Sequence, residues 1–281
     1  MIKMSGAGNT FVFMTEQEAS AYEAETRKPT SKMSQLQTRS QWVSYVCDPV
    51  FGVKADGVVI LENATGDADL VWDFYNADGS RAEMCGNAAR CAYVYAVNHM
   101  NLVKQSIRLK TTAGVVLLAQ TPKGVSVKMP LIKVENPMMT LRMQGSAMSF
   151  SLLNTGVPHL VTEVSGELGT PEQRQWCAEA RKHSDVGPKG ANVTLWQIAD
   201  GKSAIKKIKA VTFERGVEDF TLACGTGAVA AAHVAARKMN LHEVEVAMPG
   251  GLLSIDFQHS LYEPMMSGPA IECVNFQFIN N

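Results

Sequence analysis

The sequence predicts a mixed α/β chain built as two halves of like fold. Two observations carry this. Short β-branched and aromatic runs of strand length alternate with a few helical stretches. In addition, "CGNAARCAYVYA" at 85 and "CGTGAVAAAHVA" at 224 repeat one pattern, a Cys-Gly-polar start leading into an alanine-rich helix, at a separation of 224 − 85 = 139 in a chain of 281 residues.

The opening "MIKMSGAGNTFVFM" reads as a glycine turn running into an apolar strand. From Glu16 to Gln41 the chain is polar and broken at Pro29, the character of an insertion that extends to about residue 46. Met33, Leu36, Val43 and Val46 fall at helical spacing, and "DGVVILE" and "DLVWDFY" then read as strands. A helix over about 86 to 98 precedes "SIRLKT", "GVVLLAQ" and "GVSVKMP", which predict an antiparallel meander. From about Pro137 the order recurs: strand "MSFSLLN", turn "TGVPH", strand "LVTEV", a helix near 171 to 183, strands "NVTLWQI" and "KAVTFERG", and a helix near 226 to 239. The terminal "IECVNFQF" has strand character.

Hydrophobic residues make up 46% of the chain, enough for a well-buried interior, and 26 basic residues against 27 acidic ones leave no field to gather nucleic acid or an anionic membrane. Lys202, Lys206, Lys207 and Lys209 alternate with apolar residues, as on the wet face of a strand. No apolar run approaches the roughly 20 residues of a membrane span, and the first residues lack the apolar core of a secretory signal, so cytoplasmic residence is expected. The six cysteines include no Cys-x-x-Cys, which favours neither a disulfide scaffold nor a zinc site; no metal and no cofactor are expected. "DGKSA" would need its first phosphate-loop glycine at Trp196, "GAGNTF" does not complete a dinucleotide fingerprint, and H-E-x-x-H and G-x-S-x-G are absent.

Where a helix begins, its first N–H groups lack partners and its dipole is positive, so a carboxylate is stabilised there. Gly86 and Gly225 let a ligand approach that backbone, and Cys85 and Cys224 stand where a thiolate is favoured, which predicts thiol pKa values below about 8.5. Two such thiols on opposite faces of one small ligand suit a cofactor-independent racemase, in which one removes an α-proton and the other returns one. Cys47, Cys91, Cys177 and Cys273 lack a repeated context and read as packing.

"KMSGAGNTFV", "FYNADGSRAEMCGNAARC", "NTGVPHLV", "GANVTL" and "FERGVEDFTLACGTGA", in this order, resemble the diaminopimelate epimerase family over nearly the whole chain outside about 16 to 46. The resemblance implies interconversion of LL- and meso-diaminopimelate in lysine and peptidoglycan precursor synthesis. It also implies two pseudo-symmetric domains, 1–131 with 270–281 and 132–269, each a curved, mostly antiparallel sheet around a central helix, with the active site in the cleft between them.

Carried over by position, Cys85 and Cys224 are the acid/base pair, and Gly86, Asn87, Gly225 and Thr226 hold the reacting carboxylate. Asn9, Asn76, Asn192, Glu214 and Arg215 match substrate-binding positions, with Arg215 suited to a distal carboxylate and Glu214 to an ammonium. His159 and Glu214 match positions close to the thiols; read alone, a histidine in a Pro-His turn is a loop hydrogen-bonder. The family is commonly homodimeric, which implies the same here.

Val157 stands where many members have asparagine, Ala88 where glycine is common, and Lys54 where glycine is usual, and one extra residue separates Arg215 from Cys224 relative to the commoner family form. Val157 and Lys54 keep open a racemase of the same fold acting on another amino acid such as histidine, which Glu214 and Arg215 oppose. A non-catalytic binder, or a redox protein pairing Cys85 with Cys224, is the more distant alternative.

Overall fold

The computed structural model describes residues 1–28, 34–143, 146–200 and 206–277. Met33, Pro29 and Lys202 lie outside these residues. Within them the chain divides into two compact units, Met1–Val127 with Pro269–Asn281, and Lys128–Gly268.

In the first unit, β1 (Ile2–Gly6) and β2 (Asn9–Thr15) form an antiparallel hairpin through Ala7 and Gly8, both at positive φ. The first half of the opening segment is therefore also a strand. Helix α1 (Glu16–Thr26) follows, started by a capping box in which Thr15 Oγ1 accepts from Glu18 N and the Glu18 carboxylate accepts from Thr15 N. The polar segment is thus partly helical; the T-x-x-E signal at Thr15 precedes it in the sequence. The next helix, α2 (Arg39–Cys47), begins only after Thr38, a second capping box, so Leu36 precedes it.

Arg39 anchors this segment. Its guanidinium pairs with Glu16 at 2.7 Å, Glu23 at 2.5 Å and Asp73 at 3.3 Å. Trp42, Val43 and Val46 of α2 pack with Val12, Met14, Val58 and Ile60 in one apolar cluster.

The first unit continues with β3 (Gly57–Asn63), β4 (Leu70–Asn76), α3 (Gly86–His99), β5 (Ser106–Thr111), β6 (Gly114–Thr121) and β7 (Gly124–Lys128). Its sheet runs from the terminal strand Ile271–Asn275 through β1 to β7. The successive pairings are antiparallel, antiparallel, parallel, antiparallel, parallel, antiparallel and antiparallel. Helix α3 packs on β1, β2, β3 and β6, strands far apart in that order, so the sheet curves around it. Its Ala88, Ala89, Ala92 and Ala96 are fully buried, and their small side chains let strands approach from several sides.

The second unit contains β8 (Lys133–Met143), β9 (Ser146–Asn154), β10 (Pro158–Glu163), α4 (Pro171–Ala180), a short 3-10 turn (Ser184–Val186), β11 (Asn192–Asp200), β12 (Lys206–Glu214), β13 (Asp219–Thr221), α5 (Gly225–Met239), β14 (Glu243–Met248), β15 (Gly251–Asp256) and β16 (Met265–Gly268). Along β8, β9, β10, β11, β12, β14, β15 and β16 the pairings repeat the first unit's series of orientations, position for position. The short β13 pairs with β12 from outside this series. Helix α5, with Ala228, Ala230, Ala231, Ala232 and Ala235 fully buried, packs on β9 to β12, β14 and β15. Helix α4 ends at Ala180, shorter than the sequence predicts. β8 runs through Pro137, with register breaks between Val134 and Met139 that accommodate the missing N–H.

The terminal strand β17 (Ile271–Asn275) is exposed along its whole length, Cys273 included. Cys47, Cys91 and Cys177 are buried as packing residues, but Cys273 is not, because both faces of its strand are open. Among the described residues no helix is long and apolar enough to cross a membrane.

Candidate active site

The two repeated motifs occupy equivalent places. Cys85 is the N-cap of α3, after β4, and Cys224 is the N-cap of α5, after β12 and β13. Their backbones match, with φ −143° and ψ 120° at Cys85 and φ −136° and ψ 102° at Cys224, and neither makes a side-chain capping bond. The first amides of both helices therefore lack the oxygen acceptor that a serine, threonine or aspartate cap supplies, although the Gly227 amide does act on the Cys224 thiol.

In the first unit, Asn87 joins two sequence-predicted residues: its Nδ2 donates to Asn9 Oδ1 at 2.6 Å. Its Oδ1 accepts from Arg90 Nη2 at 2.7 Å. Gly6 admits the close contact of β1 with α3, since a Cβ there would lie 2.5 Å from the Asn87 carbonyl oxygen. Cys85 is half-buried, whereas Gly86 and Asn87 are buried. Asn76 lies at the end of β4, where its Nδ2 donates to Ser80 Oγ at 3.0 Å; among the described residues no hydrogen bond joins it to Asn9 or Asn87.

In the second unit the thiol sits in a denser network. Cys224 is 7% exposed, with Sγ 3.4 Å from Thr226 Oγ1. Thr226 Oγ1 is 3.0 Å from His159 Nε2, and His159 Nδ1 is 2.9 Å from Thr194 Oγ1, which lies 3.1 Å from Thr212 Oγ1. Asn192 Nδ2 approaches His159 Nε2 at 3.4 Å, and Asn192 Oδ1 accepts from Arg215 N at 2.9 Å. Glu214 accepts a short hydrogen bond from Thr221 Oγ1 and interacts with the Cys224 thiol. The Arg215 guanidinium is held by the carbonyls of Lys189 at 3.2 Å and Gly190 at 3.5 Å.

Electrostatics correct one expectation. Burial and then the Glu214 carboxylate push the Cys224 thiol up to about 12, while nearby donors on Thr226, Gly227 and Thr212 oppose them by less. The helix start alone predicts a lowered value; desolvation of a buried sulfur outweighs it. Burial likewise raises Glu214. Burial, with Arg215 nearby, lowers His159 to about 3, so its imidazole is neutral at physiological pH. His159 is thus a buried member of β10's network, fixed on both ring nitrogens, rather than a loop hydrogen-bonder.

Thr194, Thr212 and Arg90 escaped the sequence reading. The threonines carried a faint signal: in "NVTLW" and "VTFE" each sits between apolar residues, where a polar group facing inward needs a partner. Lys54, where the family usually has glycine, adopts φ 51°, the left-handed conformation that explains the glycine. Ala88 is fully buried on α3, and Val157 is half-buried just before β10.

The family model for diaminopimelate epimerase matches residues 1–133 and 151–272. A diaminopimelate epimerase of Aquifex aeolicus is 34% identical over 271 residues, 95% of this chain and 92% of the relative. One from Methanothrix thermoacetophila is 32% identical over 282 residues, 96% of this chain and 92% of the relative. The solved structure of a probable proline racemase from Agrobacterium radiobacter K84 shares the fold, with a TM-score of 0.66 at 14% identity, covering all of this chain and 92% of that one. Ordered motifs, matched sheets and relatives aligned almost end to end lead to one assignment: the chain belongs to the diaminopimelate epimerase family and is an isomerase.

Proposed function

We propose that the protein interconverts LL- and meso-diaminopimelate by a two-thiol acid/base mechanism that needs no cofactor. The observation that carries this is the pair of cysteine N-caps, Cys85 and Cys224, with matching backbone geometry at equivalent points of two sheets with the same order of pairings. In one direction a thiolate accepts the α-hydrogen as a proton, forming S–H, and the electron pair left on carbon spreads into the carboxylate. The other thiol donates its proton to the opposite face of the carbon and becomes the thiolate.

The amides of Gly86, Asn87, Gly225 and Thr226 at the helix starts suit a carboxylate that gains charge during the reaction. Losing one comparable donor in other enzymes costs about 2.7–4 kcal/mol of barrier. Of the two roles open to Glu214, its bonds to Thr221 and Cys224 support the one beside the thiol. Arg215, exposed and held by two backbone carbonyls, suits a distal carboxylate. The place in lysine and peptidoglycan precursor synthesis, cytoplasmic residence and a homodimer belong to the same reading, and sedimentation tests the dimer.

The deciding experiment follows α-hydrogen exchange and stereochemistry in deuterated water with LL-diaminopimelate and, separately, a panel of amino acids. Exchange with diaminopimelate and formation of the meso isomer are expected. Rapid exchange with histidine or another amino acid but none with diaminopimelate would replace the substrate assignment.

A further inference from the structure

Arg90 is fully buried on α3, one turn beyond Cys85. Its acceptors are neutral: Asn87 Oδ1 at 2.7 Å, the Pro269 carbonyl at 3.4 Å and the Gly86 carbonyl at 3.5 Å. Among the described residues no carboxylate lies within ion-pair distance of it. A guanidinium withdrawn from water at a cost of several kcal/mol, with no anion beside it, requires another use for its charge.

We propose that Arg90 is the positioning residue of the Cys85 half-site: its buried guanidinium fixes the Asn87 amide and the Gly86 carbonyl, and its positive charge stabilises the Cys85 thiolate. The inference rests on the reading of Cys85 as an acid/base thiol. Three links support it.

First, the thiolates whose negative charge would act on Arg90 are that of Cys91 and, by less, that of Cys85. Burial pushes Cys91 up to about 12, so Cys91 stays a thiol at neutral pH, which leaves Cys85 as the thiol of the two on which the Arg90 charge can act at that pH. The Arg90 charge opposes part of the rise at Cys91, while Cys85 and Cys273 add to it.

Second, Arg90 turns Asn87 so that Nδ2 is committed to Asn9 Oδ1. Removing the guanidinium would free the amide to rotate and would disturb two residues proposed to meet the substrate.

Third, the arrangement has no twin in the other unit. Five positions after Cys224 stands Val229, fully buried, and the ionisable neighbour of that thiol is the acidic Glu214. The repeated motifs therefore place a cation beside one cysteine and an anion beside the other.

The test titrates Cys85 in a chain carrying Cys224→Ser and Cys273→Ser, in which the remaining cysteines are buried, by following the rate of iodoacetamide alkylation against pH without substrate. With Arg90 present the half-point is expected below the ordinary thiol value of about 8.5. Arg90→Met is expected to raise it by about one pH unit or more, and Arg90→Lys, which keeps the charge, by less than about half a unit. An unmoved half-point in a folded Arg90→Met chain overturns the proposal, even if that chain binds diaminopimelate more weakly. Should Arg90→Met fail to fold, the parent chain decides: a half-point at or above about 8.5 overturns the proposal, and one below it that Arg90→Lys retains supports it. The readout does not depend on turnover. A chain inactive on diaminopimelate would still answer the question about Arg90.

Discussion

His159 Nε2 and Thr226 Oγ1 lie 3.0 Å apart, and the direction of that bond can be assigned. Asn192 Oδ1 is occupied by Arg215 N–H, so its Nδ2 faces His159 Nε2 and can only donate. Nε2 is then the acceptor and Nδ1 carries the hydrogen, which it donates to Thr194 Oγ1 at 2.9 Å. While Cys224 is a thiol, Thr226 gives its hydroxyl hydrogen to the imidazole and turns its lone pairs toward Cys224 Sγ at 3.4 Å. The thiol donates to those lone pairs; once it is a thiolate Thr226 turns its hydrogen to the sulfur, the hydrogen bond that opposes part of the rise caused by burial and Glu214.

A neutral, doubly bonded His159 has a pH signature. Its folded value of about 3 lies below the unfolded value of about 6.5, so the unfolded chain binds more protons between them. Stability from this group is complete above about pH 6.5 and falls, by at most about 1.4 kcal/mol per pH unit, as pH drops toward 3. Urea unfolding at pH 5 and pH 7 is expected to show a steeper loss in the parent chain than in His159→Gln. An NMR titration of His159 near 6.5 would contradict the network.

Glu214→Gln removes the negative charge beside Cys224. The thiol is expected to titrate below its present value of about 12, because the second-largest cause of its elevation is gone. Alkylation of Cys224 against pH in a chain carrying Cys85→Ser and Cys273→Ser reads the shift. Epimerisation by Glu214→Gln alone is expected to fall by about 10²-fold or more.

Replacing Cys85 or Cys224 singly by Ala is expected to lower epimerisation by at least about 10²–10⁴-fold, the scale of a lost acid or base, with the circular dichroism spectrum unchanged. Near-normal turnover in either variant would remove the two-thiol mechanism.

Gly6→Ala forces a Cβ to within 2.5 Å of the Asn87 backbone oxygen, and a carbonyl at a helix start cannot swing aside as a side chain would. A loss of about 1–3 kcal/mol in urea unfolding is expected, with weaker substrate binding as α3 shifts.

Arg39→Met strands Glu16, Glu23 and Asp73 around an absent cation. About 1–3 kcal/mol is expected, less than the about 3–5 for a fully buried pair, because the guanidinium side chain retains 23% exposure. Limited proteolysis between residues 16 and 47 reads the loosening directly.

The repeated half was legible because it is local: a cysteine, a glycine and a run of alanines mark a helix start wherever they occur. Helix α1 lay behind a polar composition, and only its capping box marked it in the sequence. Strands β14 to β16 were not assigned, since Pro249, Gly250, Gly251 and the polar stretch around Gln258 broke up their short apolar runs. The site's polar supports were hidden for another reason. Thr194, Thr212 and Arg90 are ordinary residues in strand and helix, and only long-range packing, which no local pattern encodes, makes them members of a network.

The uncapped starts of α3 and α5 bear on how the protein withstands heat. A serine, threonine or aspartate at either cap would make the side-chain capping bond that cysteine does not, a gain of about 0.5–2 kcal/mol per helix. That holding power is left for whatever carboxylate docks there. The folded state is therefore expected to tighten with ligand concentration, by about 2.7 kcal/mol at a hundred times the dissociation constant, and the melting temperature becomes a gauge of occupancy.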